Sequence, residues 1–475
     1  MTDTSPILMW FRRDLRLSDH AALRTACESG RPVIPVFVHD RVIDELGAAP
    51  KWRLGLGVSA LTERLERQGS RLILRRADQA LDALQALLAD TGAGAVYWSC
   101  LYDPQSVERD KNIKKTLSEA GVEARSFGGH LLFEPWSVAT KTGGFYQVYT
   151  PFWNAVKTRP VETPLNAPGR IPAPAKWPVS NDLDSWHMGA AMNRGAAVVR
   201  PFVQLGEQAA QLRLARFTDE LLADYKITRD LPGVDGTSNL SENLALGELS
   251  PRQCWGAGRR ALEEGKRGAE TFLKELVWRE FAYHLMHHTP HILRRSWRKE
   301  WEVFAWRKEA ESAEVMAWKQ GRTGLPFVDA AMREMYVTGR MHNRGRMIAA
   351  SYLTKHLMTH WRIGMQWFEE CLIDWDPASN AMGWQWSAGS GPDAAPYFRV
   401  FNPETQLDKF DKDRSYSGRW IAEGNANPHP DAVAYFGAIP RAWGLSPTDT
   451  YPSLPVVSPA DGRHRALQAY ESRGF

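Results

Sequence analysis

The chain has 475 residues, of which 43% are hydrophobic and 24% charged, and this composition excludes a disordered chain, a collagen-like chain and a small disulfide scaffold. Its formal net charge is +4, and its four cysteines are widely separated, so neither a disulfide framework nor a zinc ribbon is expected. Its first residues do not resemble a signal peptide and no run of about 18 apolar residues occurs, so we expect a cytoplasmic protein without a membrane span.

The first 130 residues alternate short apolar runs with amphipathic stretches. The apolar runs predict strands at 7–11, 33–39, 71–74, 95–98 and 124–127, and the stretches between them predict helices at 21–29, 58–68, 80–90 and 106–120. Because the runs lack strict polar–apolar alternation, they indicate strands covered on both faces, as in a parallel sheet. We therefore expect a Rossmann-like α/β domain over residues 1–130, although it has neither a G-x-G-x-x-G motif nor a Walker loop.

A proline-rich segment separates this part from the rest of the chain. Six prolines lie between positions 160 and 178, which is typical of an extended linker, and we assign residues 131–204 to it. From residue 205 to 475 the pattern is helical, with predicted helices at 272–286, 327–337, 341–361 and 366–374. The sequence therefore predicts an all-α second domain over residues 205–475.

Tryptophan and positive charge are concentrated in the same part of this helical region. Ten of the 20 tryptophans lie between Trp278 and Trp386, and residues 279–362 contain 15 Lys or Arg against 8 Asp or Glu. Indole rings beside excess positive charge favour a polyanion whose bases stack, such as nucleic acid. A heavy core and a solvated helical surface remain the alternative explanations.

Two predicted helices place polar and planar side chains on one stripe. Glu275, Trp278 and Arg279 are spaced i, i+3, i+4, and the same spacing brings Asn343, Arg346 and Met347 together. Such stripes suit a polar planar ligand better than hydrocarbon packing. The alternatives are an exposed Glu275–Arg279 ion pair and a methionine that belongs to the core.

Two acids follow the predicted helix 366–374. We expect Pro377 to end that helix and residues 378–386 to form a loop, so Asp374 and Asp376 would lie near a helix C-terminus, where their charge opposes the helix dipole. Such acids need a partner, for example a buried arginine or the imide N–H of a ligand. A solvated helix end is the alternative.

The loop at 232–241 and a set of histidines are weaker features. The small hydroxyl residues that follow Gly236 offer donors suited to a pyrophosphate, although a surface turn explains them equally well. The histidines at 284, 287, 288 and 291 have no cysteine close by, so we expect no metal site there.

Five motifs in chain order resemble the photolyase/cryptochrome family. They are WFRRDLRLSDH at 10–20, DLPGVDGTSNLS at 230–241, ELVWREF at 275–281, MHNRGRM at 341–347 and WDPASNAMGWQWSAGSGPDAAPYFRVFNP at 375–403. The resemblance spans nearly the whole chain. It implies an α/β antenna domain, a wrapping linker and a helical domain that binds FAD.

The resemblance also implies roles for individual residues. The FAD phosphates and ribose are expected at Tyr225, Thr237, Ser238, Asn239, Leu240 and Ser241. The isoalloxazine is expected beside Arg279, Asn343, Arg346, Asp374 and Asp376, with Asn380 facing flavin N5 and Arg346 paired with Asp374. A photoreduction chain is expected at Trp384, Trp361 and Trp306, although Trp301 is close enough in sequence to take the last place.

The lesion and its DNA form the second ligand that the resemblance implies. A flipped pyrimidine dimer would contact Glu275, Trp278, Asn343, Met347 and Trp386, where Trp278 and Trp386 stack on it. Arg229, Arg344 and Gln406 would contact the DNA backbone. Glu275 would either donate a hydrogen bond in its protonated form or accept one from an N–H group.

The implied activity is light-driven repair of cyclobutane pyrimidine dimers, a carbon–carbon lyase reaction in which excited reduced FAD lends one electron to the dimer. The pattern is that of cyclobutane-dimer enzymes rather than 6-4 enzymes, and it is closest to the bacterial class III group, with class I as the neighbouring possibility.

We expect a methenyltetrahydrofolate antenna, although residues 103–108 depart from the class I antenna pair. We also expect a monomer that acts on UV-damaged DNA at the nucleoid. The alternatives are a cryptochrome-type photoreceptor without repair activity and a cofactor-free binder of single-stranded DNA.

Overall fold

The amino-terminal part is built around a five-stranded parallel sheet. The computed structural model describes residues 4–475, and its strands are β1 Ile7–Phe11, β2 Val33–His39, β3 Ile73–Arg76, β4 Ala95–Ser99 and β5 Glu123–Phe127. They pair in the order β3-β2-β1-β4-β5, with Ile7 level with Val33 on one side and with Ala95 on the other. The helices of this part are α1 Ala21–Glu28, α2 Arg41–Asp44, α3 Ala48–Glu66, α4 Ala80–Thr91 and α5 Pro104–Glu119. β1, β2 and β4 are buried along their whole length, which explains their continuous apolar runs and confirms the predicted sheet.

Helix α3 is longer than the sequence predicted. It begins at Ala48 rather than at position 58, because Pro50 lies in the first turn, where its missing N–H group is tolerated. Gly57 lies inside the helix, where a Cβ atom would be 2.8 Å from the Leu15 side chain, so the glycine permits close packing. α3 therefore packs tightly against the β1–α1 loop.

The segment that connects the two parts is not wholly extended. It contains α6 Tyr149–Val156 and α7 Gly195–Val199. Phe152, Trp153 and Val156 are buried, which holds α6 against the helical region although prolines follow it in sequence. The expectation of a purely extended linker was therefore wrong at α6.

The carboxyl-terminal part is helical throughout. Its helices are α8 Gly206–Arg216, α9 Tyr225–Thr228, α10 Ser241–Ala245, α11 Pro251–Glu263, α12 Ala269–His288, α13 Ala313–Lys319, α14 Pro326–Thr338, α15 Asn343–Ser351, α16 Trp361–Cys371, α17 Pro377–Ala388, α18 Pro403–Phe410, α19 Ser415–Trp420, α20 Pro430–Ala438 and α21 Pro459–Glu471. Among residues 4–475, no helix is both long and apolar enough to cross a membrane.

Two predicted helix boundaries were wrong. The predicted helix 341–361 is α15 followed by a π-helical turn at Tyr352–His356, and the next helix starts at Trp361, where the His360 side chain accepts from the backbone N–H of Arg362. Pro377 does not end a helix but begins α17, so residues 378–386 are helical rather than a loop. Proline is common at the first helical position as well as after a helix, and its presence alone does not separate the two.

A buried ion network joins the sheet domain to the helical domain. Arg53 of α3 is fully buried, and its guanidinium lies 3.1 Å from Glu242 and 2.6 Å from Glu248. Arg213 of α8 reaches Glu242 at 2.8 Å. Because an arginine from one domain neutralises two carboxylates of the other, the relative position of the domains depends on this contact.

We predict that Arg53→Met lowers the free energy of unfolding by about 3–5 kcal/mol, since it leaves Glu248 buried without its ion-pair partner and takes one of three arginines from Glu242. Denaturant unfolding of the full chain measures the change. Arg24→Met is the control, because Arg24 belongs to an exposed pair with Glu28, and such pairs contribute about 0–1 kcal/mol. A cost below about 1 kcal/mol for Arg53→Met would show that the network is not structural.

Candidate active site

A single deep cavity brings together most of the residues that the sequence singled out. Its volume is about 840 Å³, within the range of natural ligand sites. The predicted residues that line it are Tyr225, Arg229, Thr237, Ser238, Asn239, Leu240, Ser241, Glu275, Trp278, Arg279, Asn343, Arg346, Met347, Asp374, Asp376, Asn380, Trp384 and Trp386. Arg344, Gln406, Trp361 and Trp306 lie outside its lining.

The acid at position 374 has the arginine partner that the family resemblance implied. Nη2 of Arg346 lies 2.7 and 2.9 Å from the two carboxylate oxygens of Asp374, and Nε of Arg346 donates to the carbonyl of Met341 at 2.9 Å. The hydroxyl of Ser241 donates to Asp374 at 2.7 Å. Asp374 therefore connects α15 to the hydroxyl-rich loop at 237–241.

Asp376 lies at the N-terminus of a helix, where the helix dipole stabilises its negative charge, and not at a C-terminus. It is the N-cap of α17, and its side chain accepts from the backbone N–H of Ser379 at 2.9 Å. Burial would raise its pKa, but the positive charges of Arg13 and Arg279 outweigh burial and lower the pKa below its usual value. The hydroxyl of Tyr283 also donates to it. The expectation that Asp376 opposes a helix dipole was therefore wrong.

Helix α12 contributes Glu275, Trp278 and Arg279 to the cavity lining, but Glu275 and Arg279 do not pair with each other. Glu275 pairs with Arg229, and Nη1 and Nη2 of Arg279 donate to the carbonyl of His130 at 2.9 Å and to its ring Nε2 at 2.8 Å. The alternative explanation of an exposed Glu275–Arg279 pair is thus wrong. Arg279 instead joins the helical domain to the end of the sheet domain.

Tyr149 covers one face of Trp278. The two rings stack with centroids 3.6 Å apart and planes 6° apart, and Trp278 also lines the cavity. Tyr149 belongs to α6, far from Trp278 in sequence, so no helical or strand periodicity links the two residues. Sequence reasoning missed Tyr149 for this reason, and the stack holds the indole in a fixed plane beside the cavity.

The residues in the first two turns of α15 contact one another and a neighbouring loop. The Asn343 amide and the Arg344 guanidinium each lie 3.9 Å from the sulfur of Met347. Arg344 also forms an ion pair with Asp230 at 2.6 Å. Its guanidinium lies over the ring of Phe410 on α18, the helix that carries the half-buried Gln406.

The three tryptophans assigned to electron transfer are all buried. Trp384 lines the cavity, whereas Trp361 and Trp306 lie in the core, and the ring of His360 is 5.4 Å from Trp361 and 5.2 Å from Trp306. Trp301 stacks on Trp306 with ring centroids 5.7 Å apart. The ring of Trp384 also occupies the space beside Gly364, where a Cβ atom would lie 2.0 Å from it.

The cavity lining also includes polar residues to which the sequence gave no site role, and four of them are Glu334, Arg340, His342 and Arg419. Buried side-chain nitrogens of Trp384, Arg340 and His342 have no hydrogen-bond partner among the described residues. Burial lowers the pKa of His342 to about 4, so the imidazole is neutral near pH 7. Only the MHNRGRM motif, which contains His342, offered a signal for any of the four.

The lining suits the FAD that the family resemblance implies. Hydroxyl and amide groups of the loop at 237–241 lie near Arg340, and the Arg346–Asp374 pair and the Asn380 amide lie among apolar residues such as Phe368 and Leu372. The unpaired buried nitrogens of these lining residues match a ligand that carries hydrogen-bond acceptors. Within residues 4–475, no group of three or more His, Cys, Asp or Glu has an arrangement able to hold a metal ion.

The comparisons with known proteins cover almost the whole chain. The family description "DNA photolyase" matches residues 7–170, and "FAD binding domain of DNA photolyase" matches residues 272–472. The chain is 42% identical over 473 residues to the deoxyribodipyrimidine photo-lyase of Agrobacterium fabrum, covering 98% of each chain.

Two solved structures are similar over the same length. A class III photolyase from Agrobacterium tumefaciens matches with a TM-score of 0.91 and 42% identity, covering 99% of this chain and 98% of that one. A cryptochrome from Synechocystis matches with a TM-score of 0.84 and 28% identity, covering 99% of this chain and 100% of that one.

We predict that Glu280→Gln flattens the pH dependence of stability between about pH 4.5 and 7. Burial raises the pKa of Glu280 to about 7. The folded state then binds this proton more tightly than the unfolded state, so the carboxyl group costs stability as pH rises through this window, by at most about 3 kcal/mol.

The difference in unfolding free energy between Glu280→Gln and the unchanged chain, measured at several pH values, isolates this one group. The amide keeps an oxygen to accept from the backbone N–H groups of Leu132 and Phe133, which now donate to Glu280 at 2.8 and 3.1 Å. A difference that does not change with pH would contradict the assignment.

Proposed function

The chain belongs to the DNA photolyase family, and from this premise we propose that it uses blue light to split cyclobutane pyrimidine dimers in DNA. The observation that carries the proposal is that one cavity contains both the residue set expected around a flavin and the set expected around a dimer. The higher identity to a photo-lyase than to the Synechocystis cryptochrome favours repair over a photoreceptor without repair activity.

Bound reduced FAD would supply the photochemistry, by giving one electron to the dimer on illumination and taking it back after the ring has split. We propose that Tyr225 and residues 237–241 hold its phosphates and ribose. The ring system would be held by Arg279, Asn343, Arg346, Asp374, Asp376 and Asn380, which all line the cavity. The Arg346–Asp374 pair, in which Asp374 is buried and Arg346 is half-buried, supports this role, because it fixes two oppositely charged groups that recognise a polar heterocycle.

The protein positions the dimer through rigid aromatic and polar groups. We propose that Trp278 and Trp386 stack on the dimer, and that Asn343 and Met347 complete its pocket. The Tyr149 stack supports the role of Trp278, since a supported indole loses little freedom when a ligand binds. Glu275 forms an ion pair with Arg229, and we propose that its carboxylate oxygens also accept a hydrogen bond from a pyrimidine N–H group.

Backbone contacts and electron transfer complete the proposal. Arg229, Arg344 and Gln406 would contact DNA phosphates and set the position of the lesion. Trp384, Trp361 and Trp306 would relay electrons from an external reductant to an oxidised flavin and so restore its reduced form. Burial of all three rings supports this, because aromatic donors in the core are shielded from side reactions with water.

The proposal also covers features of the protein outside the cavity. We propose a methenyltetrahydrofolate antenna, a monomeric state and a cytoplasmic location at the nucleoid. The division into 1–130, 131–204 and 205–475 is supported by the end of β5 at Phe127 and the start of α8 at Gly206.

Illumination with blue light is expected to restore a dimer-containing oligonucleotide in the presence of the reduced, FAD-loaded protein. The loss of dimers, followed by chromatography, measures the reaction, and a wavelength scan tests for an antenna. The same mixture kept in the dark is the control. Dimers that survive illumination while bound to FAD-loaded protein would refute the proposed function.

Replacing Glu275 by Gln is expected to weaken binding of dimer-containing DNA by about tenfold, because a charge-assisted hydrogen bond contributes about 1.5–3 kcal/mol and the amide retains part of it. Fluorescence anisotropy measures the affinity. Glu270→Gln on the same helix is the matched control, since Glu270 pairs with Lys274 outside the cavity. An equal loss in both variants would remove Glu275 from the proposed lesion contacts.

A further inference from the structure

Five charged side chains gather where the loop at 237–241 meets helix α3. This group, the Glu242 cluster, consists of Arg53, Arg213, Arg340, Glu242 and Glu248. Both glutamates are fully buried, and the arginine side chains are 0%, 9% and 17% exposed. Three positive charges therefore face two negative charges in a site from which water is largely excluded.

The surplus charge is localised at Arg340. Its Nη2 lies 3.0 Å from the Glu242 oxygen that Nη1 of Arg213 already contacts at 2.8 Å. Arg53 engages Glu248 through both terminal nitrogens, at 2.6 and 3.0 Å. Burial and the charge of Arg340 both lower the pKa of Arg213. Glu242 is thus neutralised by Arg53 and Arg213, and Arg340 is not needed for that purpose.

Arg340 also has an unused hydrogen-bond donor. Its Nε is buried and has no hydrogen-bond partner among the described residues. Nη2 of the same guanidinium donates to the backbone carbonyl of Phe202, which fixes the side chain in place. A fixed, half-buried cation whose Nε is a buried free donor matches a site built for an anion, because an anionic ligand supplies the missing counter-charge.

The position of Arg340 identifies the anion. Arg340 lines the cavity together with Asn239, Leu240 and Ser241, and Arg213 donates to the carbonyl of Asn239. The Glu242 cluster therefore lies directly behind the loop whose hydroxyl groups suit a phosphate. The Arg346–Asp374 pair lines the same cavity with its charges already balanced.

We propose that Arg340 binds the pyrophosphate of the flavin dinucleotide and that the surplus charge of the Glu242 cluster is the device that favours a dinucleotide over a flavin without phosphates. This inference rests on the proposed function, since it concerns the same cavity. It assigns a binding role to a residue outside the motif segments that carry the family resemblance.

The test compares two flavins that differ in their phosphates. Full-length protein that carries its flavin is dialysed against excess FAD or excess riboflavin, and release of each flavin after dilution is followed by its fluorescence in the dark. Arg340→Met is expected to speed FAD release about 10- to 100-fold, as expected for the loss of a charge-assisted hydrogen bond, and to leave riboflavin release unchanged. Arg340→Lys, which keeps the charge, is expected to restore part of the FAD effect.

Arg194→Met is the matched control. The Arg194 guanidinium donates to the carbonyl of Ile439 and lies outside the cavity lining, so both release rates are expected to match those of the unchanged chain. Equal acceleration of FAD and riboflavin by Arg340→Met would show a purely structural role and overturn the inference, as would no acceleration of either.

The outcomes separate this inference from the proposed function. If the unchanged chain retains FAD and repairs dimers while Arg340→Met releases FAD normally, the pyrophosphate contact alone is wrong. If the unchanged chain retains neither flavin, the proposed cofactor and the contact are both wrong. Selective loss of FAD in Arg340→Met supports the contact even if the dimer assay fails.

Discussion

The ion pairs of the fully buried Arg53 with Glu242 and Glu248 are the interaction on which the rest of the molecule depends. It lies on a helix of the sheet domain, but both of its carboxylate partners belong to the segment that follows the loop at 237–241. Removing a buried charge from its partners is costly, so the two domains have little freedom to separate or rotate. Arg53 does not line the cavity, but it holds the segment that follows the lining residues Leu240 and Ser241.

Contacts between the two domains also hold Asp376 and Arg279 of the cavity lining. Arg13, from the loop after β1, lies 3.5 Å from Asp376, and Arg279 of α12 contacts His130 at the end of the sheet domain. The Tyr283 hydroxyl donates to Asp376, and its oxygen lies 2.9 Å from Nε2 of His130. The cavity is therefore a helical-domain site in which one acid, Asp376, is held partly by Arg13 of the sheet domain, which gives that domain a structural role in the site.

Much of the fold and part of the site follow from local sequence pattern. Strands β1, β2 and β4 were predictable because their burial on both faces leaves continuous apolar runs. The Arg346–Asp374 pair was implied by the family resemblance, because the local pattern also allowed a ligand N–H or a solvated helix end as the partner of Asp374. The role of Pro377 was not, since proline both begins and follows helices. The π-helical turn at 352–356 was hidden because one inserted residue barely disturbs helical periodicity. The Tyr149–Trp278 stack and the Glu242 cluster join distant segments, and no periodicity in one sequence connects them.

The central claim is that one cavity holds a flavin and a pyrimidine dimer in direct proximity. The most direct measurement is the excited-state lifetime of reduced FAD in the full-length protein, with saturating dimer-containing DNA and with undamaged DNA of the same sequence. Electron transfer to a dimer in the same cavity predicts a shorter lifetime with the damaged strand alone. An unchanged lifetime when damaged DNA is bound would contradict the account.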